Sequence, residues 1–202
     1  MKTRIKTSKV LLIMFFIFLG VFQSKAQVTF RPGVRGGANF SHFTKGNDYY
    51  GSYNSSNASS NSVDYTAKTD FYLGFYGALK LSKFYTLQPE IDYSAQGSTY
   101  KSSNKNSVLN VDYLSLGVVN KFTFGDKFNI HLGPTLDFVV NKNFNVNADI
   151  DLAFVLGAGI NLTRNFAIEA RVKKGLIPVV DSGDSHTNVV FSLGGTYTFD
   201  LK

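Results

Sequence analysis

Histidine and acidic side chains are the groups in this sequence that could carry out acid–base or nucleophilic chemistry. Such chemistry needs a histidine within hydrogen-bond reach of its partners. His131 and Asp137 share one side of a predicted strand, but they are six residues apart, or about 20 Å along a strand. His42 and His186 lie in or beside predicted loops. Because no catalytic spacing recurs, we expect His42 and His186 to be exposed loop residues, and we expect the protein to have no enzyme activity.

Metal and thiol chemistry have less support still. The chain has no cysteine and three scattered histidines, and no two potential ligands have the spacing of a metal-binding pair. The absence of cysteine also excludes a disulfide framework and a cysteine nucleophile. We therefore predict no metal site and no cofactor.

Charged residues on the polar side of predicted strands are the stronger candidates. The predicted interior charge network comprises Arg31, Arg35, Glu90, Asp92, Asp137, Glu169 and Arg171, with Lys80 and Lys173 on the same side of their strands. Such charges can pair into a plug of salt bridges in a water-poor lumen. Alternatively, they can line a selective channel. Eight strands enclose a space that side chains nearly fill, which favours the plug.

The strands that must position these charges are clearest at Val189–Leu201. Phe191, Leu193, Tyr197 and Phe199 alternate there with small or hydroxylated residues. A period of two places alternate residues on opposite faces of a strand. The apolar face therefore needs a cover, either a second protein layer or lipid.

The same pattern recurs along the chain and predicts eight strands. They are 28–41, 69–81, 84–96, 109–124, 128–140, 150–162, 165–173 and 189–201. The fourth is the least regular, because Val111 and Tyr113 are out of phase with its other apolar residues, which suggests a bulge or an extension beyond the bilayer.

The predicted connections alternate between long and short. The long ones are 44–68, 97–107, 141–149 and 178–186, and the short ones are Ser82-Lys83, Gly125-Asp126 and Thr163-Arg164. An up-and-down barrel places all long loops on one side of the membrane and all short turns on the other. The sequence therefore predicts an all-β fold, an eight-stranded antiparallel transmembrane barrel.

A soluble barrel of the lipocalin kind is the alternative, with its apolar face turned inward around a ligand. Two observations favour the membrane barrel. The polar face is rich in Gly, Ser and Thr, which suits a narrow lumen, and aromatic residues such as Phe40, Phe128 and Tyr197 cluster at strand ends, as in interfacial girdles.

The first 26 residues are predicted to be a cleaved signal peptide. Lys2, Arg4, Lys6 and Lys9 precede an apolar run, Val10–Phe22, and Ser24-Lys25-Ala26 provides a cleavage site before Gln27. The run is too short for a transmembrane helix, although a retained anchor is the alternative to a cleaved signal. The barrel domain is then 27–202, located in an outer membrane of the Gram-negative type.

Removal of this segment changes the charge argument. The whole chain has a net charge of +7, but residues 1–26 hold five of its 21 basic residues and no acidic one, which leaves +2 for 27–202. The basic character is therefore largely a targeting signal, and we predict no nucleic-acid partner.

Three segments resemble the PorT-like outer-membrane β-barrel family. They are G-V-R-G-G-A-N-F-S in the first strand, L-G-F-Y-G-A-L-K-L-S-K-F-Y-T-L-Q-P-E-I-D-Y-S-A-Q-G in the next hairpin, and D-Y-L-S-L-G-V-V-N-K in the strand that follows. The similarity extends over most of residues 28–201, and the order and spacing of the segments carry it. It implies a small integral outer-membrane barrel, usually without an assigned activity.

Three functional hypotheses follow. The first is a structural or interaction barrel that contacts outer-membrane lipid through its apolar face. Its Tyr-, Ser- and Asn-rich loop 44–68 would contact polysaccharide or another protein. The second is a narrow channel for small solutes or ions, and the third is a barrel hydrolase acting at the outer rim.

Overall fold

The computed structural model describes residues 28–44, 64–102, 105–181 and 185–201. The predicted signal peptide and most of loop 44–68 lie outside these residues. The described strands are β1 (Thr29–Phe43), β2 (Asp64–Thr66), β3 (Lys68–Lys80), β4 (Tyr85–Ser102), β5 (Lys105–Phe124), β6 (Phe128–Lys142), β7 (Ile150–Asn161), β8 (Phe166–Gly175), β9 (Val180–Asp181), β10 (Ser185–His186) and β11 (Asn188–Thr198). Within the described ranges, no helix is long and apolar enough to cross a membrane.

Eight of these strands close into an antiparallel barrel. The order around it is β1, β3, β4, β5, β6, β7, β8 and β11, and β11 pairs with β1. Each strand therefore pairs with its neighbours in the chain, and closure leaves the barrel without an edge. The eight-stranded up-and-down barrel predicted from the sequence is confirmed.

The alternation of residue types decides which side chains enter the lumen. In β6, burial alternates from Phe128 to Asp137, with Asn129, His131 and Asp137 inside and Ile130 and Leu136 outside. The other barrel strands keep the same relation, so the outer surface is a band of Leu, Ile, Val and Phe. Such a surface is typical of contact with lipid.

Aromatic residues border this band at both ends. Phe128 and Phe166 lie near the short turns, while Phe40 packs against Phe191 near the long connections, with ring centroids 6.1 Å apart. From Phe128 to Phe138, a strand tilted by about 40° rises roughly 25 Å along the membrane normal. That height matches the apolar band of an outer-membrane barrel.

The three predicted short turns connect strands at one end of the barrel. Gly125 and Asp126 have φ values of 56° and 60°, a region that glycine and aspartate tolerate better than other residues. At the next turn, the Leu162 amide donates to the Phe166 carbonyl over 3.0 Å. This end also holds the beginning of β1 and the end of β11.

The predicted loop 97–107 is wrong for most of its length. β4 and β5 continue through it as a paired hairpin, with Gly97 opposite Asn110 and Ser102 opposite Lys105. Part of loop 44–68 is also a strand, since β2 pairs with this extension of β4. These segments lie beyond the lipid band, so neither of their faces contacts lipid and neither needs to be apolar. Their polar composition therefore gave no sign of strand pairing.

For the irregular phase of β5, the two expected explanations were a bulge and an extension beyond the bilayer, and the structure shows no bulge within β5 itself. The alternation in β5 is continuous, and Val111 and Tyr113 point inward beside Ser115. The bulge lies on the partner strand, where Val140 is the extra residue between Val139, opposite Tyr113, and Asn141, opposite Asp112. Val111 and Tyr113 are apolar because they belong to a buried cluster at the long-loop end of the lumen.

Candidate functional site

The middle of the lumen is occupied by five charged side chains from three strands. Arg35 comes from β1, Glu90 and Asp92 from β4, and Glu169 and Arg171 from β8. None of these strands is adjacent to another in the barrel, so the contacts between them cross the lumen. We call these five residues the central cluster.

Arg35 is held by carboxylates from two sides of the barrel. Its Nε and Nη2 donate to Glu169 Oε1 over 3.0 and 2.7 Å, and its Nη1 donates to Asp92 Oδ2 over 2.6 Å. The guanidinium also lies over the ring of Tyr72, with Cζ 4.6 Å from the ring centroid. Charge-assisted hydrogen bonds of this length are strong and strongly directional.

Arg171 binds the third carboxylate, Glu90, and shares Glu169 with Arg35. It donates to Glu90 in a bidentate arrangement, Nη1 to Oε2 over 2.7 Å and Nη2 to Oε1 over 2.9 Å. Its Nη2 also lies 3.1 Å from Glu169 Oε2. Arg35, Arg171, Glu90 and Glu169 are at most 6% exposed, so the charges compensate one another where water is scarce.

The remaining predicted members of the network lie elsewhere. Asp137 accepts from Lys173 Nζ over 2.5 Å, closer to the long loops than the central cluster. Arg31 lies at the short-turn end and pairs with Asp200 over 2.6 Å. The hydrogen bond that Asp200 accepts from Asn165, together with the charge of Arg31, lowers the pKa of the Asp200 carboxyl.

His131 is buried beside the central cluster rather than beside Asp137. The side chain is 0% exposed, its Nδ1 lies 3.1 Å from Asn129 Oδ1, and its Nε2 lies 3.9 Å from Glu169 Oε2. At the opposite end, the expectation of an exposed loop residue is wrong for His186, which lies in β10, is 8% exposed and has its Nδ1 2.6 Å from the Thr44 carbonyl oxygen. These groups do not form the combination of histidine, nucleophile and carboxylate that a hydrolase needs.

A layer of amides and hydroxyls lies between the central cluster and the long loops. Asn39 donates to Ser94 Oγ over 2.9 Å and to the Ala95 carbonyl over 3.0 Å, and it accepts from Ser192 over 2.7 Å. Asn188 donates to Gln96 in the same layer. Asn188 Oδ1 has no hydrogen-bond partner among the described groups, but the other hydrogen bonds named here join β1, β4 and β11 across this polar part of the lumen.

An apolar cap of Phe43, Val111, Tyr113 and Val179 fills the lumen at the long-loop end. Phe144 packs against it, with its ring centroid 6.0 Å from that of Phe43. Sequence reasoning missed this cap. The signal was present in Val111 and Tyr113, two apolar residues at positions whose phase directs them into the lumen.

A cavity of about 40 Å³ adjoins the central cluster. Tyr72, Asp92 and Thr135 are among the residues that line this cavity. The hydroxyls of Tyr72 and Thr135 and the Oδ1 atom of Asp92 have no hydrogen-bond partner among the described protein groups. Its volume and polar lining suit ordered water rather than a larger solute. Among all the residues that the structure describes, no three potential metal ligands lie close enough together to bind an ion.

Glycines on the inner faces of the strands leave room in the lumen for the larger polar side chains. A Cβ added at Gly157 would lie 2.3 Å from His131 Nε2 and 2.7 Å from the Ala170 carbonyl oxygen. We expect Gly157→Ala to lower the free energy of unfolding by about 1–3 kcal/mol through overpacking, as measured by urea unfolding in lipid vesicles. Gly125→Asn is the control, because a Cβ at Gly125 meets nothing within 4 Å and asparagine tolerates its positive φ. Equal losses for both variants would contradict the prediction.

The fold and its buried charges define a small membrane β-barrel with a filled interior. Consistent with this, the family model for the outer membrane protein beta-barrel domain matches residues 22–181. The chain therefore belongs to this family of outer-membrane barrels.

Solved structures of similar fold include those of three bacterial proteins. Neisserial surface protein A is 14% identical, with a TM-score of 0.52 and coverage of 83% of this chain and 97% of that one. Ail of Yersinia pestis is 13% identical, with a TM-score of 0.47 and coverage of 84% and 98%. OprG of Pseudomonas aeruginosa is 14% identical, with a TM-score of 0.46 and coverage of 86% and 98%. No curated protein matches the chain.

Proposed function

We propose that this protein is a closed outer-membrane barrel with a structural or interaction role, and that its interior charges act as a plug. The observation that carries the proposal is the arrangement of the central cluster, in which two arginines and three carboxylates bridge the lumen from β1, β4 and β8. The Lys173–Asp137 pair and the apolar cap obstruct the path from the cluster to the long loops. A barrel filled in this way supports neither solute passage nor catalysis.

In this proposal, partners bind at the long-loop end of the barrel. The β4–β5 hairpin extends there beyond the apolar band, with β2 paired to its side. The Tyr-, Ser- and Asn-rich loop 44–68 leaves the barrel at the same end and would contact polysaccharide or protein. The outward apolar face contacts outer-membrane lipid in this proposal.

Two finer features belong to the same proposal. Residues 1–26 would direct export and be removed before Gln27. Within the family of outer-membrane barrels, the segments G-V-R-G-G-A-N-F-S and D-Y-L-S-L-G-V-V-N-K support membership of its PorT-like branch.

Planar-bilayer recording tests the plug. We expect the refolded barrel to give negligible conductance, because opening a path would require removing paired charges from one another in a water-poor lumen. A general-diffusion porin inserted in the same bilayer serves as the positive control, and a heat-dependent shift in gel mobility verifies that the inserted protein is folded.

The channel hypothesis predicts the opposite result. Steady, ion-selective conductance by the wild-type barrel, altered in selectivity by Glu169→Ala, would contradict the closed barrel. In that case Glu169 would line a path for ions rather than hold Arg35 and Arg171 in place.

A further inference from the structure

The short-turn end of the barrel opens into a mouth with a volume of about 620 Å³. All three short turns line it, through residues such as Lys83, Lys127 and Arg164. Inward positions near the strand ends form its walls, including Lys80 on β3 and Thr123 on β5. The volume lies within the range of small-ligand pockets, and the mouth takes no part in the plug.

The charge of the mouth is strongly one-sided. Its lining contains five cations, Arg31, Lys80, Lys83, Lys127 and Arg164, and one carboxylate, Asp126. Asp200 neutralises Arg31 over 2.6 Å and lies 4.0 Å from Arg164. Among the described residues, the three lysines form no ion pair within 4.0 Å of a carboxylate.

Hydrogen-bond donors accompany these cations inside the mouth. Thr86 and Thr123 lie at inward positions of β4 and β5 and line the same space. Lys121 occupies the next inward position of β5, opposite Thr86, between the mouth and the central cluster. It too has no carboxylate within 4.0 Å among the described residues.

The lysine and threonine side chains of the mouth face the inside of the barrel, which indicates a ligand that binds inside the mouth and not only at the lipid-facing surface. Phe84, Phe124 and Phe128 face outward at this level, where the lipid lies. Lys80, Thr86 and Thr123 face the mouth instead. Lysine ammonium groups are compact cations that bind phosphate well, and hydroxyls donate to its remaining oxygens.

We propose that the short-turn mouth is a binding site for a multiply charged anion of the phosphate class. Lys80, Lys83 and Lys127 supply the uncompensated charge, and Thr86 and Thr123 supply hydroxyl donors. The ligand is either a free phosphorylated molecule or the phosphate of a lipid headgroup at the membrane surface, since both present the same chemistry. The site is closed at its inner end by the central cluster and needs no transport through the barrel.

Calorimetry with tripolyphosphate tests the site in the full barrel, refolded into nanodiscs of phosphatidylcholine. We expect saturable binding at one equivalent that weakens as salt rises, because exposed charges are screened. The variant Lys80→Gln/Lys83→Gln should bind about tenfold more weakly, a loss of about 1.4 kcal/mol, because two exposed charge contacts are removed. Lys142→Gln/Lys174→Gln removes the same charge at the long-loop end and should leave binding unchanged.

Nanodiscs that contain phosphatidylglycerol distinguish the two sources of phosphate. If a free anion is the ligand, tripolyphosphate still binds at one equivalent in these discs, only somewhat more weakly because of the anionic surface. If a headgroup is the ligand, tripolyphosphate binding is lost there, and the wild-type barrel retains more phosphatidylglycerol in native mass spectra than Lys80→Gln/Lys83→Gln does. Absence of saturable binding in phosphatidylcholine discs, or an equal loss in both double variants, would overturn the proposal.

Discussion

Replacing Glu169 by alanine should lower the free energy of unfolding of the barrel by about 3–5 kcal/mol. Glu169 accepts three hydrogen bonds, two from Arg35 and one from Arg171, and is 3% exposed. Its removal leaves buried N–H donors of two guanidiniums without an acceptor, although Asp92 still binds Arg35 Nη1. Urea unfolding in lipid vesicles, followed by circular dichroism and by the heat-dependent gel shift, measures the loss.

Asp149→Ala is the matched control for this result. Asp149 also pairs with a cation, Lys142 Nζ at 2.6 Å, but the two side chains are 73% and 38% exposed. An exposed pair contributes about 0–1 kcal/mol because water and salt weaken the attraction. Similar losses for Glu169→Ala and Asp149→Ala would show that the central cluster does not stabilise the barrel.

The second large effect is expected on the lipid-facing surface. Leu156 lies at the middle of β7 and is 54% exposed on its outward face. An arginine at this depth faces hydrocarbon, so Leu156→Arg should destabilise the folded barrel by about 2–4 kcal/mol. The folded fraction after dilution into vesicles, read from the heat-dependent gel shift, measures this change.

Leu162→Arg makes the same substitution six residues further along. Leu162 is 56% exposed and follows the end of β7, in the short turn at the membrane surface. The expected loss there is about 0–1 kcal/mol, because the arginine can reach water and headgroups. Equal folded fractions for the two variants would mean that the outer face of β7 does not contact lipid.

Much of the barrel follows from the alternation of residue types. The sequence determines that Ile130 faces outward and Asn129 and His131 face inward, because a strand has a period of two and only one of its sides can meet lipid. Eight such segments joined by three short turns leave one simple closure, the up-and-down barrel. The sequence also places Arg35, Glu90 and Glu169 on the inner face for the same reason.

Which inward charges meet was decided by strand register. Gly194 on β11 lies opposite both Gly37 on β1 and Glu169 on β8. Arg35 is the next inward residue of β1 after Gly37 towards the short turns, and from there its guanidinium reaches Glu169. Arg35 and Glu169 are 134 residues apart in sequence, so no local pattern encodes their contact. Arg31, on the same side of the same strand, lies two inward positions nearer the short turns and reaches Asp200 instead.

The structure of the long-loop end was the part of the barrel least predictable from the sequence. The sequence showed polar residues in 97–107 and two apolar residues out of phase at Val111 and Tyr113. Only the closed barrel places the first set beyond the lipid, where a polar hairpin can pair, and brings Val111 and Tyr113 against Phe43 and Val179. Inward or outward direction is a local property of a strand, whereas height in the membrane and the neighbours across the lumen are set by how all eight strands are staggered.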